Sequence, residues 1–156
     1  MSIKISPKIK AFKEYFKRLD GDLQKDFLAR VVEETRENAR ERASKHTITG
    51  RLERNIDSKV NKIAMTGEVF VANQGMLKKW KGKNVNYGIF VHFPTKPHPI
   101  TPKKWKALRW EKDGKFIFAK KVKKHPGYKG DPFLYKGLAD TFKQLDRIFE
   151  ETTKGL

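Results

Sequence analysis

Side chains able to do acid–base or metal chemistry are few in this chain and poorly spaced for it. The histidines are His46, His92, His98 and His125. Two metal ligands on one helix face need a separation of three or four residues, and no pair has it, nor is there an HExxH. Cysteine is absent, which removes disulfides, thiolate nucleophiles and Cys-ligated zinc. Between Lys78 and Lys129 the carboxylates are Glu111 and Asp113, close together beside one turn, so general acid–base work has few candidates there. No nucleophile elbow and no glycine-rich phosphate loop is present. Gly82, Gly88 and Gly114 read as turn glycines. A small nuclease or toxin would need a carboxylate–histidine cluster to hold its metal, and the sequence supplies none. The expectation is a protein that is not an enzyme, with no catalytic residue, no cofactor and no metal.

A different chemistry is better represented: cations interleaved with aromatic rings. The 156 residues carry 36 Lys and Arg against 18 Asp and Glu, a net of +18. Residues 78–129 hold 16 of the bases and two acids, a net of +14, which leaves 20 bases and 16 acids, a net of +4, elsewhere. One-sign charge at that density costs stability through self-repulsion and predicts a polyanionic partner, either nucleic acid or acidic protein. The contact candidates are Lys78, Lys79, Lys81, Lys83, Lys96, Lys103, Lys104, Lys120, Lys121, Lys123, Lys124 and Lys129. Among them stand Trp80, Tyr87, Phe90, Phe93, Trp105, Trp110, Phe116, Phe118 and Tyr128. Exposed, these rings would stack on unpaired bases. The competing expectation, and the favoured one, buries them: Phe116 and Phe118, two apart, face a core from one side of a strand, and Trp105 and Trp110 pack under the proline loop. The lysines have no such account, because unpaired Lys is almost never fully buried.

These residues need a scaffold, and its elements are legible. Residues 8–46 read as helical. Ile9, Phe12, Phe16 and Leu19 recur at helical spacing, Asp20-Gly21-Asp22 breaks the pattern, and Leu23, Phe27, Leu28, Val31, Val32, Thr35 and Ala39 form a second stripe. Beyond it, Glu33 with Arg36 and Glu37 with Arg40 support the helix, while Glu37 with Glu41 opposes it. From Ile56 to Asn73 the pattern is strand-like, with a turn expected at Thr66-Gly67. Gly75–Asn84 reads as a loop, and Tyr87–Phe93 as a strand or a helical turn. Pro94, Pro97, Pro99 and Pro102 predict no regular structure across that stretch. Asp113-Gly114 between β-prone runs predicts a hairpin, and Lys120–Gly130 reads as a basic loop. A C-terminal helix is expected over 131–153, capped by Asp131 with Pro132 at its first position. Its stripe is Leu134, Leu138, Thr141, Phe142, Leu145, Ile148 and Phe149.

The expected class is α+β: N-terminal helices, a small antiparallel sheet of hairpins and a long C-terminal helix packed on the sheet. Residues 1–156 are taken as a single domain, with 8–46 helical, 56–120 carrying strands and basic proline-rich loops, and 131–153 the final helix. At 37% hydrophobic and 35% charged residues, the chain has enough for one modest core plus exposed or partner-covered surface. Met1–Lys10 has no continuous apolar run and does not read as a signal peptide. No stretch approaches the roughly 20 apolar residues of a membrane span. The expected place is the cytosol, or a larger particle assembled there.

Four short blocks occur in a fixed order. The first is Thr49-Gly50-Arg51-Leu52 with Asn55-Ile56. The second runs Tyr87-Gly88-Ile89-Phe90-Val91-His92-Phe93. The third is Pro97-His98-Pro99-Ile100-Thr101-Pro102-Lys103, continuing to Lys106-Ala107-Leu108-Arg109-Trp110. The fourth is His125-Pro126-Gly127, then Asp131-Pro132-Phe133-Leu134 and Gly137-Leu138. From Thr49 to Leu138 the chain resembles the tail-component family of long-tailed bacteriophages, the tail-completion and neck proteins. One departure is local: where the family's second block usually continues with an acid and Phe-Gly-Thr, this chain has His92, Phe93, Pro94 and Thr95.

The resemblance implies a structural virion subunit at the head–tail junction, made in the host cytoplasm. It implies a homo-oligomeric ring or collar, hexameric in the assembled particle, that docks on neighbouring neck and tail-tube proteins along the path of the packaged DNA, with no membrane partner. Its motif residues here are Thr49, Gly50, Leu52, Tyr87, Val91, Phe93, His98, Ile100, Pro102, Ala107, Leu108, His125, Pro126, Gly127, Pro132, Phe133 and Leu134. The alternative expectation from charge alone is a basic nucleic-acid-binding module.

Overall fold

A computed structural model describes residues 1–46, 50–74, 76–80 and 82–154, with 78–80 described by their backbone. The class is α+β. Within what the sequence presents as one domain, the chain forms two compact units: Met1–His92 with Pro132–Leu156, and the intervening Phe93–Asp131.

The first unit is built on one long helix. After strand β1 (Ser2–Ile5) and helix α1 (Lys10–Lys17), α2 runs from Gly21 to Ser44. Its buried stripe is Phe27, Leu28, Val31, Val32, Thr35, Ala39 and Ala43, the three- and four-residue spacing that puts one face of a helix in the core. The break before it falls at Arg18–Asp20, so Gly21 and Asp22 belong to its first turn. Arg36 pairs with Glu33, and Arg40 with Glu37, as their spacing predicts. The short α3 (Arg51–Arg54) follows Gly50, which takes a left-handed φ of 66°.

A three-stranded antiparallel sheet of order β1-β3-β2 covers α2, with β2 spanning Ile56–Asn61 and β3 Thr66–Val71. Ile3 lies opposite Val69, Ile5 opposite Gly67, and Ile56 opposite Val71. Opposed residues share a face, so one face of the sheet is apolar and buried. β1 comes from the Lys–Ile alternation near the N-terminus, a period-two pattern that suits a half-buried strand.

Thr66-Gly67 is not the turn. The β2–β3 hairpin closes one step earlier, where the Asn61 carboxamide oxygen accepts the Ile63 and Ala64 N–H groups at 3.0 and 2.9 Å, and Met65 takes the positive φ. Gly67 sits in β3 because a Cβ there would stand 2.1 Å from Cγ2 of Val32. Its glycine serves close sheet–helix approach, which composition cannot distinguish from a turn.

The expected loop at Gly75–Asn84 contains a hairpin, β4 (Leu77–Trp80) with β5 (Lys83–Asn86). Tyr87–Phe93 resolves as the short helix α4 (Gly88–His92). The C-terminal helix is present in two pieces, α5 (Phe133–Phe142) and α6 (Leu145–Thr153), separated by a tight turn in which Lys143 and Gln144 donate to Asp140 and Thr141. Pro132, not Asp131, occupies the N-cap position. α5 runs along α2 and meets the sheet at β1. Phe12, Phe16, Phe27, Phe133, Leu134, Leu145 and Ile148 complete the core.

The second unit consists of two strand pairs. β7 (Leu108–Lys112) and β8 (Lys115–Ala119) form the hairpin that Asp113-Gly114 predicts, both turn residues having positive φ, 51° and 73°. That is the backbone of a type I′ turn. β6 (His98–Ile100) pairs with β9 (Val122–His125), so both the proline stretch and the basic loop contain a short strand. The pairing runs through His98 and Ile100, with an irregularity between them at Pro99, which has no N–H to give to a ladder.

Candidate interaction surface

The motif residues separate by unit. Leu52, Phe133 and Leu134 are fully buried in the first unit, with Tyr87 and Val91 packed against the same core. Pro132 is half-buried, and Thr49 lies outside the described residues. His92 is buried with its ring edge-on to Phe133, centroids 5.1 Å apart. These positions hold a scaffold together.

Phe93, His98, Ile100, Pro102, Ala107, Leu108, His125, Pro126 and Gly127 belong to the second unit. Here the structure unites two histidines that are far apart in sequence. His98 and His125 are cross-strand partners with ring centroids 5.1 Å apart. Nδ1 of His98 lies 2.8 Å from the Lys96 carbonyl, so it carries the proton, whereas Nδ1 of His125 accepts the Gly127 N–H at 3.1 Å. Nδ1 thus donates in one ring and accepts in the other. No group of three or more metal-ligating side chains occurs among the described residues.

Gly127 closes this end of the unit. Its φ is 79°, and a Cβ would lie 2.2 Å from the Thr95 carbonyl oxygen. That approach lets Thr95 and Tyr128 exchange backbone hydrogen bonds at 2.8 and 3.2 Å. Pro94 thus sits beside a bridge whose left-handed residue, Gly127, is supplied from the facing segment.

Tyr87 packs against the core as the favoured sequence expectation has it, but the rings of the second unit overturn that expectation. Trp105 is 81% exposed, Phe118 65% and Phe116 55%, with Trp110 also exposed. A hairpin without a second layer over this face has no core for them to enter. Register puts Phe118 opposite Arg109 and Phe116 opposite Glu111, so these four share one face. The Arg109 guanidinium lies over the Phe116 ring, 3.9 Å from its centroid, a cation–π stack. Beside it is a 650 Å³ groove lined by Pro102, Lys103, Trp105, Leu108, Arg109 and Phe118. Arg109 is the residue that reading composition alone misses. The Asp-Gly turn was the available signal, since fixing the turn fixes the register.

The unit carries 12 Lys and Arg against Glu111, Asp113 and Asp131, a net of +9. Half of the chain's charge thus stands on 39 of 156 residues. Lys96, Lys103, Lys104, Lys120, Lys121, Lys123, Lys124 and Lys129 are all exposed there. Of the remaining contact candidates, Lys83 is exposed on β5, Lys78 and Lys79 lie on β4, and Lys81 is outside the described residues.

Comparison with family models, with curated proteins and with solved structures gives no match to this chain. No helix among the described residues is long and apolar enough to cross a membrane.

Proposed function

We propose that this chain is a structural virion protein of the phage head–tail junction, a tail-completion or neck subunit that acts by docking to copies of itself and to neighbouring tail proteins. The observation that carries the reading is the exposure of Trp105, Phe116 and Phe118 on a basic hairpin unit, set against a first unit that holds the buried core. Large rings are left in water at a cost when nothing covers them, and clustered exposed apolar surface marks an interaction site. The four sequence blocks support the same division. Some supply the core of the first unit, through Leu52, Phe133 and Leu134, and others supply the strands of the second. Binding energy at such an interface would come from buried aromatic anchors, with lysines at the rim setting orientation and partner charge. No chemical step is required.

Mass spectrometry of purified particles encoded with this sequence tests the reading. The expected result is this chain at a fixed copy number per particle, together with unjoined heads and tails when its gene is deleted. Its absence from joined particles overturns the proposal.

A further inference from the structure

We propose that the Arg109–Phe116–Phe118 face of the β7–β8 hairpin, flanked by Trp105, is a stacking platform for single-stranded nucleic acid. This goes beyond a neck subunit's docking role, which requires no such ligand.

The geometry favours an unpaired strand over other polyanions. Phe116 and Phe118 stand two residues apart on one strand face, a separation of about 6.8 Å in antiparallel sheet. That is close to the reach between successive bases in an extended, unstacked strand. A duplex presents phosphates to a protein and keeps its base faces hidden, so exposed rings gain little from it. A carboxylate polymer such as polyglutamate matches the lysines but has no flat ring to lay on two phenylalanines. A single strand offers both: phosphates for the cations and flat base faces for the rings.

The surrounding charges fit that ligand. Arg109 already stands over Phe116, its Cζ 3.9 Å from the ring centroid, where a guanidinium can extend a stack and its N–H groups can reach a phosphate. Lys103 lines the adjoining groove with Trp105 and Phe118. Glu111 is the acid on this face, opposite Phe116, so the track runs from Phe116 toward Phe118 and Trp105 and not toward the Asp113 turn.

The test uses the full chain and a fluorescein-labelled oligo-dT of about 16 nucleotides, followed by anisotropy. The proposal expects binding that weakens steeply between about 50 and 200 mM salt. It also expects duplex DNA of equal length and polyglutamate of equal charge to compete several-fold less well than unlabelled oligo-dT. The Phe116→Ala/Phe118→Ala variant should lose affinity by about tenfold or more, and Phe116→Tyr/Phe118→Tyr should retain it, since Tyr keeps the stacking ring. Because both rings are exposed, unchanged circular dichroism is expected for each variant. No binding at low salt, equal competition by duplex or polyglutamate, or a double-alanine variant within about threefold of the parent overturns the platform. Those failures leave the neck proposal standing, because protein docking through the same exposed rings needs no nucleic acid and is tested separately by particle content.

Discussion

Gly137 of α5 lies so close to Ala39 of α2 that a Cβ built on it would stand 2.7 Å from the Ala39 nitrogen and 2.9 Å from its Cβ. The two helices meet backbone to backbone at this point, and the first two atoms a methyl would strike belong to main chain that cannot rotate away. Gly137→Ala therefore sets two effects against each other. Alanine gains roughly 1 kcal/mol of helix propensity, and overpacking costs about 1–3 kcal/mol, toward the upper end where backbone is struck. The expected net is a loss of about 1–2 kcal/mol. Urea unfolding should show a lower midpoint with an unchanged m-value.

One turn along the same contact, the Asp140 carboxylate is held from both sides. Lys143 Nζ reaches Oδ1 at 2.9 Å, and Arg42 donates to Oδ2 through Nε and Nη2 at 2.9 and 2.7 Å. The Lys143 hydrogen bond, and after it that of Arg42, lowers the carboxyl below the ordinary aspartate range. A carboxylate whose folded pKa is lowered contributes stability that is complete above its unfolded pKa and is lost as pH falls through the folded one. Asp140→Asn should then cost about 1 kcal/mol at neutral pH, the scale of a partly exposed pair. The gap between parent and variant should shrink below about pH 4. Thermal unfolding at pH 7 and pH 3 checks both the size and the sign.

In the second unit the corresponding test is Gly127→Ala. Left-handed backbone costs an L-residue about 1–2 kcal/mol, and here the new Cβ would also meet the Thr95 carbonyl oxygen at 2.2 Å. The strand ends must part, taking the Thr95–Tyr128 bridge with them. Hydrogen exchange should show the Thr95 and Tyr128 amides losing protection. Amides of α2, which belongs to the other unit, should exchange as in the parent.

The sequence disclosed most where one physical signal determined one structure. The stripe from Phe27 to Ala39 specified α2, and Asp113-Gly114 specified both a hairpin and its register. It was less informative where a residue type serves two ends. Gly67 reads as a turn but is a point of close packing under Val32, a fact that depends on a helix more than thirty residues away. Pro97 to Pro102 reads as irregular, yet His98 and Ile100 pair across Pro99 because the ladder skips the missing N–H. The contact lysines were legible from charge alone. Whether the aromatics among them were core or surface depended on what lies over the hairpin, and no local pattern encodes that.

Exposure separates phenylalanines that composition cannot tell apart, and stability measurements should do the same. Phe133 is fully buried in the first unit, where His92 meets it edge to face. Phe133→Ala should cost about 3–5 kcal/mol through lost transfer energy and the cavity left behind, enough to consume much of an ordinary domain's stability. Phe118→Ala and Trp105→Ala remove comparable rings from positions that are 65% and 81% exposed. Little apolar surface returns to water there, so each should shift stability by no more than about 0.5 kcal/mol. Parallel urea titrations of the three variants decide the matter. A large loss for Trp105→Ala or Phe118→Ala would mean that the ring packs within the chain in solution, and the hairpin face would no longer be available to a partner.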